Sequence, residues 1–308
     1  MVVHLLFLVV YYLRAVFRFW SSRDDNTIQY FRIHWTYHSN KNSCHFNELY
    51  RILTWIRNAI RSNVEVFDLQ LDTTHQTVLL LPSWFFHCPS LKSLLFDFGG
   101  NFLKWPSPSC FSVLCNLRVL KLKNVTLEGE DYFFKWISCS CNTFKVLHLE
   151  EVHAITYMTI ESLSLESFSF VQHHSGHFSH LEVICPKLEV IHITWKFYWS
   201  RKRLLHICTP NLKFLKWGGF MLDHVNLGDL MYLEKAEIFL EVMTTLSAFY
   251  IHTDQFFRSY RLKENAVSTH SMNYWASQNL SCINRLEEVR IELSGANEGE
   301  FEYYRPEN

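Results

Sequence analysis

A short apolar phrase returns along much of this chain, and its period constrains the fold more than any other feature. At Leu117, Leu120 and Leu122 it reads apolar-x-x-apolar-x-apolar and is followed by Asn124. The phrase recurs at Val64/Phe67/Leu69, Leu91/Leu94/Phe96, Phe144/Leu147/Leu149, Leu165/Phe168/Phe170, Leu188/Ile191/Ile193 and Leu212/Leu215/Trp217, and in weaker form at Leu233/Ala236/Ile238. Its first positions are separated by 27, 26, 27, 21, 23, 24 and 21 residues. Within each phrase the last two apolar positions alternate with the period of a strand. One such unit cannot bury its apolar face alone. Stacked units can, because each inward residue meets its equivalent in the next coil.

A period of this length is the mark of leucine-rich repeats. The expected fold class is therefore α/β: a leucine-rich-repeat solenoid with a curved parallel β-sheet and helices or loops outside. Composition agrees, since 48% of the 308 residues are apolar and 16% aromatic, enough to fill a continuous core. Nine Gly and seven Pro argue against disorder or collagen-like structure. A net charge of −1 gives no bulk electrostatic case for nucleic acid or an anionic membrane, and neither is expected as a partner. The nine Cys are odd in number and scattered. Cys88, Cys185 and Cys208 fall shortly before strand phrases and read as buried, reduced thiols at turns. That usage predicts a cytoplasmic or nuclear setting.

Four segments follow. Residues 1–20 form an apolar amino-terminal segment whose near-continuous run, residues 2–13, is short for a bilayer span. Its positive charges, Arg14 and Arg18, come after the run, opposite to a signal peptide. A core-packed helix or strand, or a misjudged start, is the expectation, with a signal or anchor as the alternative. Residues 21–63 read as an irregular coil and a capping helix. Ile28/Phe31/Ile33 gives the strand phrase once more, and Phe46, Leu49, Ile52, Leu53, Ile56, Ala59 and Ile60 recur at helical steps. The helix, over 46–62, would cover the open end of the array. Residues 64–240 hold the repeats. There Pro82 suits the first turn of a short helix that Pro89 ends, Gly99-Gly100-Asn101 predicts a turn after a strand, and 127–138 predicts a helical crossover with Phe133, Phe134, Trp136 and Ile137. Residues 241–308 contain a degenerate repeat or insertion. Leu286/Val289/Ile291 then restores the phrase.

The succession resembles plant F-box/leucine-rich-repeat proteins of the type that ends in an FBD domain. The resemblance rests on Leu81-Pro82-Ser83, on Cys88-Pro89-Ser90-Leu91-Lys92-Ser93-Leu94, on Leu117-Arg118-Val119-Leu120-Lys121-Leu122-Lys123-Asn124-Val125-Thr126-Leu127, and on Pro210-Asn211-Leu212-Lys213-Phe214-Leu215-Lys216-Trp217. Leu286-Glu287-Glu288-Val289-Arg290-Ile291 with Gly295, Glu298, Glu300 and Tyr304 is similar to a truncated FBD opening. The resemblance implies a non-catalytic protein-binding module, the substrate-receptor part of an SCF-type E3 ubiquitin ligase, whose target protein is unknown. The family's F-box runs, Leu-Pro-x-Glu and Ser-x-x-Trp-x-x-Leu-Trp, have no counterpart in this sequence, and residues 24–35 resemble the segment that follows an F-box. The adaptor and cullin machinery therefore enter as partners only if the full product carries an F-box. The chain is then a fragment of a longer product, or a repeat protein that binds without directing ubiquitination. The alternative of a different class is a membrane-tethered or secreted leucine-rich-repeat receptor with no ubiquitin role, which needs residues 1–13 to anchor or export it.

No catalytic, cofactor-binding or metal signature is found in the sequence: there is no Gly-x-Ser-x-Gly elbow, phosphate-cradling Gly loop or His-Glu-x-x-His helix. Cys139-Ser140-Cys141 with His148 and His153 has the wrong spacing for zinc, and His173, His174, His177 and His180 read as a solvated loop. The aromatic residues recur with the repeat and read as packing rather than base stacking. The expected binding surface is the concave sheet face, reached by the neighbours of the inward positions. Its candidates are Leu95, Asp97, Lys121, Lys123, His148, Glu150, His192, Thr194, Phe214 and Lys216, a mixed row without a continuous strip of one charge.

Overall fold

A computed structural model describes residues 2–6, 28–37, 45–73, 78–79, 81–105, 114–140, 143–173, 178–196, 202–220, 222–228, 230–242 and 288–295. In chain order its elements are β1 (Val2–Leu6), β2 (Tyr30–Tyr37), α1 (His45–Arg61), β3 (Val66–Thr73), β4 (Val78–Leu79), β5 (Ser93–Lys104), β6 (Val119–Glu128), α2 (Glu130–Ser140), β7 (Val146–His153), β8 (Tyr157–Glu161), β9 (Ser167–Gln172), β10 (His180–Ile184), β11 (Val190–Trp195), β12 (Leu204–Cys208), β13 (Phe214–Phe220), β14 (His224–Asn226), β15 (Lys235–Val242) and β16 (Glu288–Gly295). The main sheet runs β1-β2-β3-β5-β6-β7-β9-β11-β13-β15-β16, with β4 joined to β5. Every neighbouring pair in it is parallel. The chain is thus the parallel-sheet solenoid expected from its period. No described helix is long and apolar enough to cross a membrane.

Register turns the phrase into rows. Phe67, Leu94, Leu120, Leu147, Phe168, Ile191 and Leu215 face one another across successive strands. Leu69, Phe96, Leu122, Leu149, Phe170, Ile193 and Trp217 form the next inward row, and no member of either row exceeds 2% exposure. In five phrases the first position closes a turn instead, its N–H donating to the carbonyl three residues earlier: Leu91 to Cys88, Leu117 to Leu114, Leu188 to Cys185, Leu212 to Thr209 and Leu233 to Leu230.

That turn carbonyl belongs to a buried slot, which explains the cysteines. Cys88 and Cys185 fill it, with Sγ atoms 3.9 Å from the Val64 carbonyl and 3.6 Å from the Ile160 carbonyl of the preceding coil. Cys208 does not. The slot residue before Leu212 is Thr209, fully buried, and Cys208 one position earlier is exposed at the end of β12. The expectation of a third buried thiol was therefore displaced by one residue, which on a strand reverses the side chain.

The outer side differs from the expected helices and loops. Four crossovers after β7 contain strands of their own, which form a second parallel sheet in the order β14-β12-β10-β8. These segments alternate apolar and polar residues: Met158, Ile160, Leu181, Val183, Leu205, Ile207 and Val225 point inward and are buried. Their core is a sandwich of two sheets rather than a sheet under helices. Before β7 the expectation holds. A 3-10 turn, Ser83–His87, follows Pro82. α1 buries Ile52, Trp55, Ile56 and Ala59, with the Trp55 ring 5.7 Å from Trp35. The side chains of Phe46 and Leu49 lie outside the described set.

Two boundaries moved. The second helix begins at Glu130 rather than at 127, because Leu127 still pairs with Leu103 in the sheet and the turn waits for Gly129, at φ 84°. Gly99-Gly100-Asn101 does not end a strand. It is a bulge inside β5, with the register against β6 shifting between Asp97 and Asn101 and both glycines at positive φ. Farther on, Gly219 stands at φ 118°, and a Cβ there would lie 2.1 Å from the Trp195 carbonyl oxygen, so only glycine lets β13 continue beside β11. The segments 1, 7–27, 38–44, 243–287 and 296–308 of the sequence reading, with the degenerate repeat or insertion and Leu286 among them, lie outside the described residues. β1 places the backbone of Val2–Leu6 beside β2, and β16 places Glu288–Gly295 beside β15.

Two outcomes test this packing. Leu120→Ala is expected to destabilise the protein by about 2–5 kcal/mol, and the neighbouring Lys121→Ala by no more than about 0.5 kcal/mol; urea titration followed by circular dichroism compares them, and equal midpoints would place Leu120 outside the core. Burial pushes the Cys185 thiol up to about 12. Brief iodoacetamide treatment of the native protein at about pH 8 should therefore label the exposed Cys115 and spare Cys185, as read by mass spectrometry. Faster labelling of Cys185 would contradict its position in the slot.

Candidate functional site

Between the inward rows, alternate side chains of the main sheet face away from the core. Parallel register aligns them into transverse rows on this open face. The central one reads Arg32, Asp68, Leu95, Lys121, His148, Ser169, His192, Lys216 and Glu237. Toward the strand ends the next reads His34, Gln70, Asp97, Lys123, Glu150, Val171, Thr194, Gly218 and Phe239. All ten candidates fall on this face. Leu95, Lys121, His148, His192 and Lys216 share the central row, and Asp97, Lys123, Glu150 and Thr194 share the second. Phe214 lies nearer the strand starts, opposite Val190.

The acidic groups named in these two rows are all engaged. Asp68 accepts from the Tyr30 hydroxyl at 2.7 Å and lies 3.3 Å from Arg32 Nε. Burial, then the Asp68 hydrogen bond, push the Tyr30 phenol up to about 12. Asp97 Oδ1 accepts from Asn124 Nδ2 at 3.0 Å. Asn124 is the polar residue that closes its strand phrase, and it reaches the preceding coil from a left-handed backbone, φ 49°. Glu150 lies 2.8 Å from Lys123 Nζ and 3.3 Å from His148 Nε2. Burial works against its ionised form, but the hydrogen bonds from Lys123 and then His148 prevail and hold the carboxyl below its usual range. The Glu150 hydrogen bond in turn raises Lys123. Glu237 sits 3.2 Å from Lys235 and 3.4 Å from Lys216, whose ammonium also stands 5.6 Å from the Phe239 ring centre.

His192 is held differently. Burial first, and then the positive charges of Lys216 and His148, lower its pKa. Its Nε2 lies 3.3 Å from Thr194 Oγ1. Between His192 and His148 stands only the short Ser169, whose Oγ is buried and has no hydrogen-bond partner among the described residues.

Just before the strands runs a charged row that the candidates omitted: Glu65, Lys92, Arg118, Lys145, Glu166, Glu189 and Lys213. Glu65 pairs with Lys92 at 2.6 Å, Lys145 with Glu166 at 2.6 Å, and Lys213 with Glu189 at 3.0 Å. Arg118 is left between two lysines without an ion pair among the described residues, and so is Lys121. The signal was present in the sequence, because Arg118 follows the first apolar residue of its phrase as Lys92 and Lys145 do theirs. What the sequence lacked was the pairing.

The described histidines of the two clusters lie apart. His148 faces outward between Leu147 and Leu149, while His173 donates its backbone N–H to Glu151 at 2.8 Å and His180 lies on the outer sheet beside Tyr157. Cys141, His174, His177 and the Cys139 side chain lie outside the described residues. Among the described residues no three His, Cys, Asp or Glu are grouped so as to hold a metal ion.

With the solenoid and its face in place, comparison with known families is decisive for kinship. The model for "FBD-associated F-box protein At5g56370, LRR repeats" matches residues 52–247. The chain belongs to this leucine-rich-repeat family of FBD-associated F-box proteins. No curated protein and no solved structure matches it. The matched region spans from within α1 to just past β15, so the rows from β3 to β15 lie in the family's repeats, and Arg32 and His34 on β2 precede it. Repeats of this kind are generally non-catalytic scaffolds, and the family and fold together support a protein-binding repeat module.

The lowered pKa of His192 gives the repeats a pH dependence whose sign is fixed. The unfolded chain takes up a proton near the ordinary 6.5 and the folded chain only below it. Stability is therefore fully present above 6.5 and is lost as pH falls through the window beneath. Melting temperature should drop between about pH 7.5 and about pH 5.5, and drop less in His192→Gln. Equal drops in both proteins would remove His192 from the account.

Proposed function

We propose that this chain is the target-recognition part of an F-box protein of an SCF-type E3 ubiquitin ligase, holding a target protein on the open face of its main sheet. The observation that carries this reading is the ladder itself. Aligned, solvent-facing side chains run across consecutive strands from β2 to β15, mounted on two inward rows that leave the backbone no freedom to shift. A rigid extended surface of mixed polarity suits a protein partner better than a small molecule, which wants a concave apolar pocket. Kinship with FBD-associated F-box proteins supplies the ubiquitin context. The unpaired buried thiols Cys88 and Cys185 favour a reducing compartment, cytoplasmic or nuclear, over the secreted receptor.

Two measurements test the proposal. A photo-crosslinking amino acid is placed at Leu95, His148 or His192 on the open face, or at Thr159 or His206 on the outer sheet, and irradiated in extract of the source cells. Protein adducts are expected from the first set and not from the second; the reverse pattern would move the binding surface to the outer sheet. Residues 1–308 are also mixed with a purified Skp-type adaptor. The F-box runs are absent from this sequence, so no stoichiometric complex is expected until an F-box is fused ahead of residue 1. Tight binding by the unfused chain would overturn the division of labour.

A further inference from the structure

The ion pairs of the open face leave a surplus in one place. The lysines at the strand starts and on the strands, Lys92, Lys123, Lys145 and Lys216 among them, each have a carboxylate oxygen within 3.4 Å. Arg118 and Lys121 do not, and both are exposed. They stand three residues apart at the start of β6, about 10 Å along the strand. The carboxylates nearest in the rows are already committed: Asp97 to Asn124, Glu150 to Lys123 and His148, Glu166 to Lys145. Between and beside the two cations the surface is apolar, with Val119 between them, Val146 opposite Val119, and Leu95 opposite Lys121, all half-buried.

We propose that this patch, centred on Arg118 and Lys121, docks an acidic polypeptide segment of the partner. An extended segment with carboxylates four residues apart turns both toward the face, about 13 Å apart and within reach of the two long cationic side chains, and the apolar side chain midway between them lies over Val119, Leu95 and Val146. The proposal rests on the open face being the receptor surface and names the chemistry it selects. A nucleic acid fits less well. A phosphate backbone loads a long row of cations, but the lysines on either side of Arg118 are neutralised by Glu65 and Glu166. No aromatic ring stands among the patch residues to stack a base.

The test uses the full chain and fluorescence anisotropy. The probe is a labelled ten-residue peptide with Glu-Ser-Val-Ser-Glu at its centre; the controls are the same peptide with Gln for both Glu, and a labelled oligothymidine. Variants are R118E/K121E and, matched in charge at exposed sites elsewhere, K135E/K187E, each checked for an unchanged melting curve. The acidic peptide should bind the parent and weaken as salt rises from about 0.05 to about 0.5 M. R118E/K121E should lose about tenfold or more, and K135E/K187E little. Equal binding of the Gln peptide, equal binding by R118E/K121E, tighter binding of the oligothymidine, or no binding by the parent would each overturn the proposal. None of these outcomes bears on the receptor reading, which the open-face crosslinks decide separately.

Discussion

The molecule depends on a hydrogen-bonding pattern at the strand starts. In each coil the carbonyl just before the strand accepts two consecutive N–H groups from the next coil: Glu65 from Lys92 and Ser93, Lys92 from Arg118 and Val119, Arg118 from Lys145 and Val146, and so on to Lys213 with Glu234 and Lys235. A parallel strand slipped by one residue would present its core side chains to water and its charges to the core. The paired bonds oppose that slip at every coil. Side chains add to the pattern where turns touch, as Asn116 donates to the Pro89 carbonyl and Asn211 to the Pro186 carbonyl, each at 2.7 Å. Such contacts join neighbours only, so the array behaves as a chain of similar interfaces.

From that register the face acquires its electrostatic character. Lysines and glutamates in one row sit a strand spacing apart and pair with one another in two places at 2.6 Å. Exposed pairs of this kind contribute little stability each, on the order of 0–1 kcal/mol. Their consequence is distribution of charge rather than strength. They neutralise most of the face and leave β6 with two cations unmatched. The same geometry gathers His148, Ser169 and His192 side by side, so a small residue on β9 exposes two imidazoles to each other's influence. Neither feature is a property of one coil.

The parallel sheet, the inward rows, the helix between β2 and β3 and the outward placement of Lys121 or His192 were legible in the sequence, because a period of two inside a period of twenty-odd residues admits one arrangement of side chains. The errors have a common origin. Cys208, the start of α2 and the Gly99-Gly100 bulge each turn on a one- to three-residue offset that only a neighbouring strand decides. The outer sheet was missed because β8, β10, β12 and β14 are five residues long at most, too short to announce a strand until they lie beside one another.

Sequence alone determined that Leu120 and Leu147 face a core and that Lys121 and His148 face water, since burial follows from alternation within a single strand. Tertiary structure alone decided which charges cancel. Lys123 meets Glu150, twenty-seven residues away, and Arg118 meets no carboxylate among the described residues, although each cation directly follows a leucine of the same phrase. Pairing is a property of register between coils, and repeat lengths that vary from 21 to 27 residues hide that register until the strands are laid side by side.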